Sequence, residues 1–322
     1  MAWDEKGLIK SARLLRDARN INVVLVDGGM GDMIGLLVSV DFLIRTNRRI
    51  RFHVWVPDYL TEFSKHVLPS GSLVRAFSTA ETLFNPDFLG LTSEWSTKHT
   101  PVRTHPVDYG FHVLADTHIY DLAGKNYLQI RPEKPPEKFE LPLNYVCIVA
   151  TASEPVKAMP AATIAEVSEF ARDRGFLPVY LGAERASVGV LNQAVTGKVL
   201  GVDFSNGVNL INRTSLMEAA HVIAGARALI GLDGGLVHVA GCTDVEIVAG
   251  YTLVDPRHIA PIRKGSQTHK FRVIEPPKTT PNRYFQTYNY FYPEDYRTFP
   301  GWESVVATMT PDKFIAALGA IL

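Results

Sequence analysis

Twice along this chain a short apolar run breaks at a cluster of glycines and gives way to an apolar helical stretch. The first is INVVLVD at 21–27, followed by Gly28-Gly29-Met30-Gly31 and a long apolar run from about Asp32 to Thr46. The second is ALIGL at 228–232, followed by Asp233-Gly234-Gly235 and another helical stretch. Continuous apolar strands are typical of parallel sheets, which carry helices on both faces. With the next run, RFHVWV at 51–56, the first unit reads strand, glycine turn, helix, strand. That order predicts a doubly wound α/β fold with its site at the carboxyl ends of the strands.

The pattern resumes after RPEKPPEKFELP at 131–142, whose four prolines and alternating charge make it the candidate linker. Strands are expected at 145–150, 177–181 and 245–249, and helices over Ala161–Arg174 and Leu216–Ala226. The second of these helices opens with Thr214 or Ser215 as N-cap and Glu218 near capping-box distance. A last helix starts at Pro311, a favoured first helical position. At roughly 100–200 residues per domain the length suggests two domains, placed at 1–135 and 136–322, with the last helix a candidate to pack back on the first. Residues 5–19 have helical spacing with basic groups opposite the apolar ones. They suit a packed surface helix, or one resting on an anionic membrane. Residues 93–118 read as long loops and a short helix.

Composition removes several function classes. There are 33 Lys plus Arg against 33 Asp plus Glu, so bulk polyanion binding is disfavoured. The two cysteines, Cys147 and Cys242, form no CxxC pair. A disulfide framework and a structural zinc site are therefore not expected, and the usage fits a reducing compartment. No apolar run approaches membrane-spanning length, and the first residues lack the apolar core of a signal peptide. The expectation is a soluble, cytoplasmic, two-domain enzyme.

Four constellations could carry chemistry. Gly29-Met30-Gly31-Asp32 lets backbone approach a ligand, but Ile34 stands where a dinucleotide fingerprint needs glycine or alanine. No Gly-Lys-Ser/Thr of a P-loop follows either. Asp32 would repel phosphate, so it faces an acceptor that must lose a proton, or it caps the helix. Asp233-Gly234-Gly235-Leu236-Val237-His238 offers successive amides to a diphosphate, a carboxylate to sugar hydroxyls, and a histidine that either donates to phosphate or packs. Lys157, on a post-strand loop, can neutralise a leaving diphosphate or lie solvated. Glu184, after the 177–181 strand, can hold a ribose diol or be an exposed loop acid.

These elements occur in a recognisable order. The Gly-Met-Gly-Asp turn comes first, then Lys157-x-x-Pro160, Gly182-Ala183-Glu184, the stretch Asn212–Glu218, Asp233–Ala240, and Gly250–Arg257. The ordered set resembles the heptosyltransferases, glycosyltransferase family 9. The resemblance is strongest from about 205 to 261 and weakest from 60 to 140. It implies the GT-B architecture, an α/β fold of two facing Rossmann-like domains with parallel sheets. It also implies Asp32 as general base and Lys157 beside the donor phosphates. Glu184 would lie near the nucleoside ribose, and Asp233 near the donor sugar. The backbone of Gly234, Gly235 and Leu236 would meet the diphosphate, with His238 of the same motif beside it. Gly29, Met30 and Gly31, with Lys98, Arg103 and His105, are the acceptor-side candidates. Two departures stand out: about 20 residues precede the first strand, and Ala158-Met159 replaces a common polar–tryptophan pair.

The function so implied is inverting transfer from a nucleotide-diphosphate sugar, ADP-heptose-like, to a hydroxyl of a glycan or lipopolysaccharide core. The first domain would bind the acceptor and the second the donor. No metal and no cofactor is expected, and the acceptor would be met at the inner membrane face without a transmembrane segment. A hydroxyl-bearing modified DNA base is the alternative acceptor, with Lys98 and Arg103 as contacts. The rivals from other classes are a nicotinamide-dependent oxidoreductase and a non-catalytic carbohydrate-binding protein.

Overall fold

The computed structural model describes residues 19–27, 29–76, 88–92, 128–130, 135–152, 155–183, 185–188, 193–196, 202–261, 263, 269–280 and 301–322. The expected N-terminal helix and the 93–118 segment lie outside the described residues. The first half builds β1 (Asn20–Asp27), α1 (Met30–Thr46), β2 (Arg51–Val56), a short 3₁₀ turn (Asp58–Leu60), α2 (Thr61–Val67), β3 (Leu73–Ala76) and β4 (Phe88–Thr92). Its four strands are parallel, in the order β3-β2-β1-β4.

The second half contributes β5 (Tyr145–Val149), α3 (Ala161–Asp173), β6 (Leu177–Leu181), β7 (Arg185–Val188), β8 (Gln193–Thr196), β9 (Val208–Asn209), α4 (Leu216–Gly225), β10 (Ala228–Leu232), α5 (Gly235–Gly241), β11 (Glu246–Gly250), β12 (Phe271–Ile274), α6 (Trp302–Val306) and α7 (Pro311–Gly319). Six strands form a parallel sheet, β12-β11-β10-β5-β6-β9. β7 and β8 pair separately as an antiparallel hairpin. The two parallel sheets are the architecture that the glycine-punctuated runs predict.

Alternation along the central strands divides the second half into two cores. Val146, Ile148, Ile230, Leu232 and Val248 point toward Ile164, Val167 and Ala171 of α3 and Phe314 and Leu318 of α7. Cys147, Leu229, Ile247 and Ala249 point the other way, toward Val222 and Ile223 of α4 and Val237 and Val239 of α5. That second core is continuous with the first half, where β1 buries Ile21, Val23 and Leu25 and β2 buries Phe52, Val54 and Val56. Helix α1 lies between its own sheet and α5, which is why its buried residues run almost all round it. Each such aliphatic or aromatic side chain contributes about 1.5–3 kcal/mol through its removal from water.

Two expectations are corrected. Among the described residues the last helix packs on the second half instead of back on the first; α7 lies on α3, β11 and β12. Its buried stripe, Phe314 and Leu318, is drawn onto the second sheet, and the Arg227 guanidinium donates to the Ile321 carbonyl at 2.6 Å. Helix α1 begins at Met30, two residues earlier than the apolar run suggests, because Gly29 serves as its extended N-cap. The described part of the candidate linker packs on the protein: Lys138 pairs with Glu218 of α4, and Phe139 and Leu141 pack against the core.

Candidate functional site

Asp32 stands in the first turn of α1. The Gly29 amide donates to its Oδ2 at 3.1 Å, so the carboxylate does complement the start of the helix. Strand β2, hydrogen-bonded beside β1, ends at Val56, and the 3₁₀ turn after it brings Tyr59 into the electrostatic reach of Asp32. Burial first, and the Asp32 charge second, push the Tyr59 hydroxyl up to about 12. Its oxygen is buried and makes no hydrogen bond among the described residues.

The second half builds a tighter cluster. Asp233 follows β10 and is only 3% exposed. Its amide donates to the Gly250 carbonyl at 2.8 Å, which ties the turn to the end of β11. Lys157 ends a 3₁₀ turn (Pro155–Lys157) after β5, with Nζ 3.5 Å from Asp233 Oδ2. His238, one turn into α5 and buried, places Nε2 3.7 Å from Asp233 Oδ1. Tyr251, directly after β11, is fully buried; its hydroxyl is pushed well above its ordinary range by burial and then by Asp233. The amides of Gly234, Gly235 and Leu236 make no hydrogen bond among the described residues and lie half-buried. Three donors and a lysine beside a buried carboxylate can hold a group that carries both negative charge and hydroxyls.

Thr252 fixes the lysine turn. Its hydroxyl donates to the Val156 carbonyl, next to Lys157, and both residues are fully buried. Thr252→Val keeps the shape and strands that carbonyl, which should cost about 1–3 kcal/mol. A lowered Tm in a thermal melt is the expected result, and an unchanged Tm would remove Thr252 from this role.

The two glycine turns meet. A Cβ on Gly31 would lie 2.6 Å from His238 Nε2 and collide with the rest of that ring. A Cβ on Gly235 would lie 2.8 Å from Met30 Cβ and collide with the rest of that side chain. Glycine at both positions is what lets α1 and α5 approach so closely. A second contact crosses the same interface, where the rings of His66 on α2 and His221 on α4 stand edge to face at 5.8 Å.

The structure thus brings together Gly29, Met30, Gly31 and Asp32 from one half with Lys157, Asp233, Gly234, Gly235, Leu236 and His238 from the other. Glu184, Lys98, Arg103 and His105 lie outside the described residues. Tyr59, Tyr251 and Thr252 were not assigned roles from sequence. Tyr251 and Thr252 fall inside the Gly250–Arg257 element, and Tyr59 could have been found only from the rule that sites gather at strand carboxyl ends.

The family model for glycosyltransferase family 9 (heptosyltransferase) matches residues 90–283. The chain belongs to that family. Among solved structures, it is similar to the iron-containing dodecameric glycosyltransferase TibC of enterotoxigenic E. coli, at TM-score 0.66 and 13% identity over 94% of this chain and 76% of that one. It is also similar to a glycosyl transferase family 9 protein of Veillonella parvula, at 0.62 and 16% over 94% and 97%. The ADP-heptose LPS heptosyltransferase II of E. coli gives 0.60 and 17% over 93% and 99%. These likenesses establish the shared fold. Comparison with curated protein sequences gave no match.

Proposed function

We propose that this family 9 glycosyltransferase transfers a sugar, with inversion and without a metal ion or other cofactor, from a nucleotide-diphosphate sugar to a hydroxyl of a glycan or lipopolysaccharide-core acceptor. The observation that carries this reading is the meeting of the two glycine turns, which sets the carboxylate of Asp32 across one seam from Lys157, Asp233 and His238. An ADP-activated heptose is the donor suggested by the structural relatives, one of which is TibC in complex with ADP-D-β-D-heptose.

The second half takes the donor in this scheme. Lys157 and the amides of Gly234, Gly235 and Leu236 face the diphosphate, and Asp233 accepts from sugar hydroxyls. The first half takes the acceptor, and Asp32 removes its proton as the oxygen attacks the anomeric carbon. Lys157 and the amides stabilise the charge that grows on the departing diphosphate, the role that a metal ion fills in other transferases. Substrates enter when the seam between α1 and α5 opens, and the two halves then draw together around them. Nucleotide release from a panel of nucleotide sugars in chelator tests the reading: turnover with an ADP-activated sugar is expected, and no turnover with any donor opposes it.

A further inference from the structure

One polar group at the seam has no part in the transfer as just described. The Tyr59 hydroxyl oxygen is buried, yet it makes no hydrogen bond among the described residues. Native proteins seldom leave a buried hydroxyl unbonded, because it has given up water and gained nothing in return. The residue sits on the turn after β2, at the same sheet end as the Gly29–Asp32 turn, and the Asp32 charge helps to raise its hydroxyl to about 12. It therefore keeps its proton at neutral pH and is available as a donor.

The arrangement recurs in the second half. Tyr251 follows β11, the strand paired with β10, and its buried hydroxyl is also unbonded among the described residues while lying in the field of Asp233. Each parallel unit thus places a buried tyrosine hydroxyl, unbonded among the described residues, after the strand next to the one that ends at its glycine turn.

We propose that Tyr59 is an acceptor-binding residue whose hydroxyl donates a hydrogen bond to the acceptor oxygen that Asp32 deprotonates. This rests on the transfer reaction proposed above, with the acceptor reaching the hydroxyl when the seam opens. In the step, the acceptor oxygen gives its proton to Asp32, and its electron pair forms the bond to the anomeric carbon. The bond from that carbon to the diphosphate breaks, and its electron pair leaves with the diphosphate. Tyr59 keeps its proton throughout and holds the attacking oxygen in place for attack on the anomeric carbon.

Tyr59→Phe removes the hydroxyl and keeps the ring. Without substrate, Tm is expected to stay level or rise, since the hydroxyl bonds to none of the described residues. A fall of more than about 2 °C, the size of one lost hydrogen bond in a chain of this size, would show that the fold itself uses the hydroxyl and would overturn the proposal. With ADP-heptose and a lipid-free lipopolysaccharide core oligosaccharide, the acceptor KM should rise roughly tenfold, while the donor KM moves less than about twofold. An unchanged acceptor KM also overturns it. The melting comparison does not depend on the reaction: if the wild type transfers no sugar, the transfer reading falls, and the Tm still decides whether the fold has left this hydroxyl for a ligand.

Discussion

Replacing Asp32 by asparagine is expected to slow sugar transfer about 10²–10⁴-fold, the usual contribution of a general base, with Tm unchanged. Asparagine has the same shape and keeps an oxygen that can accept from the Gly29 amide, now bonded to Asp32 at 3.1 Å. The start of α1 should therefore survive. What is lost is the ability to take a proton. Asp32→Ala removes both functions, so it should lose the rate and also about 0.5–2 kcal/mol of stability from the missing cap. The pair of variants separates the two uses of one carboxylate. Near-normal turnover in Asp32→Asn would reduce Asp32 to a cap.

The second large effect is expected at Lys157. Lys157→Met retains the aliphatic stem and removes the ammonium, and kcat should fall about 10²–10³-fold if that charge meets the leaving diphosphate. The same change deprives the buried Asp233 carboxylate of a cation 3.5 Å away, leaving His238 at 3.7 Å. Donor affinity should weaken as well, because the diphosphate loses the ammonium that faces it in the proposed scheme. Lys157→Arg restores the charge with a larger, planar group and should recover only part of the rate. Steady-state kinetics with varied donor will distinguish these cases. Wild-type kcat in Lys157→Met would exclude the lysine from leaving-group stabilisation.

Much of this architecture is legible in the sequence, for a physical reason. Strands such as ALIGL are apolar at every position because helices cover both faces, and the structure buries all five residues of that strand. The Ser215–Glu218 capping box likewise specifies the start of α4 locally, and both of its hydrogen bonds are present. The site is less legible. Glycines at 31 and 235 signal that something comes close to the backbone, but not what. They read as places for a ligand, whereas in this conformation they admit His238 and Met30 from the opposite half. Asp32 is ambiguous for a similar reason, since a carboxylate in the first turn of a helix serves a cap and a base equally well. Tyr59 carries no local pattern, and Tyr251 is marked only by its place in the Gly250–Arg257 element. Their relation to the two aspartates exists only after β2 pairs with β1 and β11 pairs with β10.

Sugar transfer as proposed requires the two turns to form one site. The most direct measurement is transfer from ADP-heptose to a core oligosaccharide in the presence of chelator, following ADP release and reading the product's anomeric configuration by NMR. ADP release coupled to a glycoside of inverted configuration, abolished in Asp32→Asn, is the predicted result. Retention of configuration, or transfer that survives in Asp32→Asn, would contradict it.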